Sequence, residues 1–555
     1  MINKKTIRNY LLLLLVIGFS GSLYGQTIYE AEEATFTSGL TIETSIAGYS
    51  GSGYVGNFSN DNDKLSFKFS LTNAGSYNMI LGVAAPNGDK TNIITINGNK
   101  TEFSVTQTSS FQEKQIGKVR LTAGENTIEI TKSWGWFYVD YLKIEPNTDP
   151  TIDFNISSEL VTPNASDNTK TLYQFLIDHF EKKIISGVMT LNSFDESDWL
   201  KQQTGKEPAL LGLDFMQCNR GYTWYNDLTP TDDAKTWYNK NGIPAMCWHW
   251  RDPSRETEAF YTEETSFDVS KIMDENSAEY QAMISDIDYL AGLLKELTTE
   301  DIPILWRPLH EASGGWFWWG AKGPEACKKL WQIMFDRLVN HHEINNLIWV
   351  WTTDTGADNM DWYPGDEYVD ILGVDIYTDQ EDFSSQYLTF DKIKTDFEGK
   401  KMVTLSECGI IPDPDKLIED EAGWSYFMPW YGDFVRNENY NPLSYWEKLF
   451  NHDYVITLDE MPDLRDYTTS SSSYQINNNE NFLLTIDHSQ QILQINPQHY
   501  QGEYNIEVCN LTGSCYYKKN MLRGIHEISL SNLPKGLILV AVKTRNSRHS
   551  FKLFI

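Results

Sequence analysis

The sequence predicts a (β/α)8 barrel, an α/β fold, flanked by an N-terminal β-sandwich of jelly-roll type and a small C-terminal β-sandwich. Three observations predict it. Between residues 168 and 467, eight short apolar, β-rich runs alternate with segments of helical period. Residues 26–147 read as strands punctuated by turns, with no helical period. Residues 475–555 return to short strands and turns. Two stretches rich in Pro, Asn, Asp, Ser and Thr, 148–167 and 468–474, read as linkers.

Before these units, Lys4, Lys5 and Arg8, an apolar stretch over 11–19 and the small residues of 20–25 read as a cleaved signal peptide over 1–25. Its apolar core is too short to span a bilayer comfortably, and no later segment approaches a membrane span. The expectation is a secreted, extracellular protein, free or held at the cell surface, and monomeric. The formal charge is −32, and loss of the three leader cations makes it −35. So acidic a surface repels polyphosphates, which argues against nucleic acid as a partner and leaves a neutral polysaccharide compatible. Six cysteines are too few and scattered for a disulfide scaffold. Cys218, Cys247, Cys327 and Cys408 read as packing. Cys509 and Cys515 flank a turn that a hairpin bridge would fit without being demanded.

In the first module, turns are signalled at Asn73-Ala-Gly75, Asn87-Gly88 and Asn97-Gly98. Alternation along Tyr29-Glu-Ala-Glu32 puts Glu30 and Glu32 on one strand face. If the first and last strands pair, both approach Asp140, and oxygen ligands so clustered suit a structural Ca2+. Ordinary exposed acids would read the same way. Trp134, Trp136 and Tyr138 are spaced to share one face, as a sugar platform or equally as core.

The barrel runs are 184–191, 209–216, 243–250, 302–309, 345–352, 369–377, 401–408 and 424–430, with helical period most evident over 279–297 and 324–340. Active sites of such barrels sit at the C-terminal ends of the strands. Glu311 closes the fourth run and Glu407 lies in the seventh. A carboxylic acid facing a carboxylate is the minimal machinery for cutting a glycosidic bond. Arg307 and His310 neighbour Glu311; an Arg–Glu ion pair capping a strand is the structural alternative.

The stretch Arg307-Pro-Leu-His-Glu-Ala-Ser-Gly-Gly-Trp-Phe-Trp-Trp-Gly320 resembles the acid/base segment of glycoside hydrolase family 26, chiefly β-mannanases. Trp362 to Tyr377, Leu405-Ser-Glu-Cys-Gly409 and Phe427-Met-Pro-Trp-Tyr-Gly432 resemble that family's sixth, nucleophile and eighth strands, in the right order. The resemblance spans roughly 168–466. It implies a retaining endo-β-1,4-mannanase needing no catalytic cofactor, with Glu311 as acid/base and Glu407 as nucleophile. It further implies that Arg307 and His310 support the acid and the sugar, and that Tyr377 hydrogen-bonds the nucleophile. Trp316 and Trp430 would be aromatic subsite walls, and His249 would contact substrate. Asp375, on the same side of its strand as Tyr377, reads as a structural hydrogen-bond partner. The same family also holds mannobiohydrolases, β-1,3-xylanases and mixed-linkage glucanases, and a catalytically silent mannan-binding protein is the reading from another class. Residues 26–147 resemble carbohydrate-binding module family 35, whose sandwich carries a calcium near its termini. The segment 530–542 and the end Phe551-Lys-Leu-Phe-Ile555 resemble the sorting domain of the type IX secretion system, which implies that export machinery as a partner.

Overall fold

The computed structural model describes residues 26–555 other than 135, 150–151, 222–227, 357, 468–472, 477–481, 488–491, 498–499, 501, 511–514, 531–532, 534–536, 546 and 555. The expected signal peptide, 1–25, and most of the second expected linker lie outside the described residues.

In the N-terminal module, two antiparallel sheets enclose one apolar core. The strand Lys64–Leu71 shows why. Leu65, Phe67 and Phe69 alternate with polar residues and face inward, while Lys68 and Ser70 face out. Thr27–Glu30 pairs antiparallel with Tyr138–Pro146, as the calcium expectation required, with Glu30 opposite Tyr141. Glu32 is not on that strand, however. The strand ends at Glu30, and Ala31–Glu33 form a 3-10 turn. The aromatic face expected of Trp134, Trp136 and Tyr138 is also corrected. Trp134 ends the strand Gly124–Trp134 in one sheet, and Tyr138 opens a strand of the other. Trp136 sits in the connection between them, so strand alternation does not relate the three.

The barrel strands are Ile184–Met189, Leu210–Asp214, Ile243–Cys247, Ile304–Arg307, Leu347–Thr353, Ile371–Ile376, Met402–Cys408 and Tyr426–Pro429. All pair in parallel, and the first pairs with both the second and the eighth, which closes the sheet. A short strand, Val455–Ile456, pairs alongside the first. The fourth strand is cut short by Pro308, which has no N–H to continue the ladder. Glu311 therefore lies beyond the strand on a turn, and not at its end as the sequence suggested.

The helices form for local reasons. Ala278–Thr299 starts at Ser277, whose hydroxyl accepts from Tyr280 N–H, and buries Met283, Ile287, Leu290, Leu294 and Leu297 at helical spacing. Pro324–Phe335 begins on a proline, favourable in a first turn, and ends in a π-helical turn over Asp336–His341. Residues 152–166 lie against the N-terminal ends of barrel strands. Val161 N–H donates to the buried Asp370 carboxyl at 2.8 Å, and Thr162 donates to the Leu347 carbonyl.

The C-terminal module has two four-stranded antiparallel sheets around Phe482, Leu493, Ile506, Val508, Val540 and Phe551. Cys509 and Cys515 are register partners across its hairpin, and both thiols are free. Among the described residues, no helix is long and apolar enough to cross a membrane.

Candidate active site

Arg307, the last residue of the fourth strand, is buried and organises the site. Its Nη1 donates to Asp375 Oδ2 at 2.9 Å and to Thr352 Oγ1 at 3.2 Å, and its Nη2 donates to Glu407. The sequence placed this arginine beside the acid. The fork instead grips Glu407 and Asp375.

Glu407 owes its place to a bulge. In the sixth–seventh strand pairing Val374 faces Leu405, but Asp375 faces Glu407, so Ser406 is the extra residue. Ser406 Oγ fills the gap by donating to Asp375 Oδ1 at 2.6 Å. On its other side, Glu407 Oε2 accepts from the Tyr377 hydroxyl at 2.7 Å. Burial and the Glu407 and Asp375 charges raise the Tyr377 phenol, so it remains a donor.

Glu311 reaches the same point from the turn, with its backbone in the left-handed region at φ 54°. Its Oε2 accepts from Trp316 Nε1 at 3.0 Å. One carboxylate oxygen each from Glu311, Asp375 and Glu407 lies within 4.8 Å of the other two. Burial, then the charge of Asp375, lifts Glu311 to about 7 and Glu407 to about 8, with Arg307 opposing both. Three carboxyls around one guanidinium hold a proton near neutrality, and hydrogen bonds decide where. Both oxygens of Glu407 face donors, Arg307 and Tyr377, so protonating it would set a hydroxyl against an N–H or O–H. Glu311 instead offers a hydrogen bond to Asp375, which favours its neutral form. The proton belongs on Glu311, and Glu407 is the carboxylate.

Around the carboxyls the expected residues separate into two groups. His249 and His310 are buried, and their Nε2 atoms lie 3.2 Å apart. His249 Nδ1 lies 2.5 Å from Asp214 Oδ2, so both ring nitrogens of His249 have partners within the protein. Trp316 is 48 % exposed, and the Trp430 ring packs 5.8 Å from His249. Tyr261, which sequence reasoning missed, is exposed on Phe317 and lines a groove with Thr262 and Trp316. Asp214 was missed as well, and Asp375 was undervalued.

In the N-terminal module, Glu30, Glu32 and Asp140 converge on one loop. Ser50 N–H donates to Asp140, Ser50 Oγ to Glu30 at 2.6 Å, and Ser52 N–H to Glu32 at 2.5 Å. Burial, then the charges of Glu30 and Glu32, raises Asp140 to about 6 against the Ser50 N–H. Glu32 Oε2 is buried without a partner. Trp136 is 53 % exposed; the Trp134 side chain lies outside the described residues.

Known proteins carry the same parts. Residues 161–460 match the model of Glycosyl hydrolase family 26, and residues 27–147 match Carbohydrate binding module (family 35). A mannan endo-1,4-β-mannosidase of Thermothelomyces thermophilus is 38 % identical over 79 % of this chain and 91 % of its own length. The crystal structure of a Podospora anserina β-(1,4)-mannanase, a family 26 hydrolase joined to a family 35 module, is 38 % identical, covering 80 % of this chain and all of its own, with a TM-score of 0.56. A β-mannanase from a symbiotic protist of the termite Reticulitermes speratus, solved with a gluco-manno-oligosaccharide, is 46 % identical, covering 56 % of this chain and 99 % of its own, with a TM-score of 0.54. With its paired glutamates inside the matched span, the chain belongs to glycosyl hydrolase family 26.

Proposed function

We propose that the protein is a secreted endo-β-1,4-mannanase acting on mannan, glucomannan or galactomannan with retention of configuration. The convergence of Glu311 and Glu407 carries the mechanism. One oxygen of each lies within 4.8 Å of the other, in keeping with the roughly 5–5.5 Å between carboxyls used for double displacement and with no room for the ~6.5–9.5 Å gap that admits a water. Glu407 attacks the anomeric carbon as the glycosidic C–O bond breaks, and the Glu311 proton passes to the leaving oxygen. Glu311, now a carboxylate, takes a proton from water, whose oxygen displaces Glu407 and leaves a β-hemiacetal. Arg307 and Tyr377 keep Glu407 ionised until it attacks. The mannan reading is supported by what the relatives are named to cleave, and Trp316, Tyr261 and Trp430 supply aromatic faces for pyranose rings. On glucomannan, galactomannan, xylan and lichenan, the purified enzyme should release mixed mannooligosaccharides with early loss of viscosity, the β-anomer first by NMR. Mannobiose as sole product would make it exo-acting; activity on lichenan alone, or an initial α-anomer, would overturn the reading.

We infer further that the N-terminal module binds mannan and that Glu30, Glu32 and Asp140 would hold a Ca2+. Three carboxyls, one raised by burial and then by the others' charge and one with an orphaned oxygen, suit a hard dication that neutralises them. The C-terminal sandwich is proposed as the type IX sorting domain. A chain ending at Tyr467 should keep full hydrolysis in vitro and lose export. Loss of hydrolysis with the barrel still folded would refute this.

A further inference from the structure

We propose that Asp214 is a positioning residue for the acid/base: through His249 and His310 it fixes the strained turn that aims Glu311. The proposal rests on Glu311 being the acid/base.

That turn is strained on both sides of His310, with Leu309 at φ 52° and Glu311 at φ 54°. Side chains disfavour this region, and such residues persist where their surroundings over-determine them. Here the surroundings are a chain of buried hydrogen bonds lacing three consecutive strands at their C-terminal ends. Asp214 ends the second strand, His249 follows the third, and His310 follows the fourth. His249 Nδ1 meets Asp214 Oδ2 at 2.5 Å, and His249 Nε2 meets His310 Nε2 at 3.2 Å. From the far side, Trp319 Nε1 donates to the His310 carbonyl at 2.9 Å.

Hydrogen-bond accounting fixes both tautomers. Asp214 Oδ1 accepts two backbone N–H groups, from Met216 at 2.8 Å and His249 at 3.0 Å. A carboxylate can only accept, so His249 carries a proton on Nδ1, and as a neutral ring it presents a lone pair at Nε2. His310 then donates its Nε2–H to His249 and keeps a lone pair on Nδ1, the ring atom that has no partner. That leaves His310 neutral, in line with the burial, and then the Arg307 charge, that push its pKa well below 6.5.

Asparagine cannot take this place quietly. Its one accepting oxygen must stay with the two backbone N–H groups, which turns its NH2 toward His249 Nδ1. His249 must then protonate Nε2 instead, and His310 must accept there and carry its hydrogen on Nδ1. A buried N–H without an acceptor is rarer in proteins than an unpaired lone pair, so the His310 ring would shift and the turn would lose its lock.

The experiment compares Asp214→Asn with wild type and Glu311→Ala, on mannan and on 2,4-dinitrophenyl β-mannoside, whose departure needs no acid. For Asp214→Asn, kcat on mannan should fall on the order of 10²-fold with KM nearly unchanged; a tautomer error directly on a catalytic triad costs about 10⁴. Its pre-steady-state burst with the activated mannoside should stay within about 3-fold of wild type, because that step bypasses Glu311. Equal losses on both substrates, a loss in KM alone, or wild-type activity would overturn the proposal. If Glu311→Ala itself loses nothing on mannan, the acid/base assignment fails instead. Should Asp214→Asn not fold, His249→Gln must show the same dependence on leaving group. If neither folds, the chain supports the barrel and not the turn, and the proposal is wrong.

Discussion

The barrel and the N-terminal module each gather three carboxyl groups, and they solve the same electrostatic problem in different ways. Around Glu311, Asp375 and Glu407 the compensating charge is internal. Arg307 forks to two of the acids, and a proton remains on the third. Around Glu30, Glu32 and Asp140, among the described residues, Ser50 and Ser52 donate and no lysine or arginine pairs with them. Like charges drawn together without a counter-charge raise a pKa or recruit a cation. A reaction that moves protons needs its charges held by the protein, whereas a structural site can leave the balance to an ion.

The largest effect expected from breaking this comparison is on the barrel side. Glu407→Ala removes the nucleophile, and turnover should fall on the order of 10⁵-fold on every substrate. A variant within 10-fold of wild type would show that the nucleophile lies elsewhere. Arg307→Met should make the barrel site resemble the module's. Removing one partner of a buried ion pair costs about 3–5 kcal/mol, measurable by urea unfolding. Added Ca2+ should restore part of that loss in the variant and do nothing for the wild-type barrel; an indifferent variant would break the analogy.

The smallest effect sharpens the module side. The Asp140 carboxyl is raised to about 6, so in the metal-free fold its protonated form contributes stability that is full at acid pH and lost as pH rises through 6. Cation binding needs the carboxylate and strengthens over the same window. At a hundred times its Kd, Ca2+ should stabilise residues 26–147 by about 2.7 kcal/mol. Chelator should therefore lower the melting temperature clearly at pH 7.5 and little at pH 5. A melting temperature that ignores both chelator and Ca2+ would remove these three residues as ligands.

What the sequence disclosed followed from locality. The eight strands are each a contiguous apolar run; Glu407 lies within one of them and Glu311 just beyond another. Pairing of the first and last module strands entered only as a condition of the calcium reading, and the fold meets it. What stayed hidden depends on register or on distant partners. The bulge at Ser406 sets Asp375 level with Glu407, and no alternation pattern records an extra residue of this kind. Asp214 meets His249 across 35 positions, so neither signals the other. Pro308 was visible in the sequence and should have ended the fourth strand early, leaving Glu311 on a turn. Trp134 and Trp136 were misread because a regular spacing was extended through a connection between sheets.

The tryptophans carry a spectroscopic consequence. Among the described residues ten of them, including Trp306, Trp318, Trp319, Trp349 and Trp351, are fully buried, while Trp136 and Trp316 stand out in the solvent at 53 and 48 % exposure. Iodide in solution should therefore quench a small red-shifted fraction of the emission and leave the blue majority untouched. With Trp136→Phe and Trp316→Phe, that fraction divides into one signal for each domain. A single intact chain then carries two optical reporters, one beside the reacting bond and one on the accessory module, to tell which of them an oligosaccharide meets first.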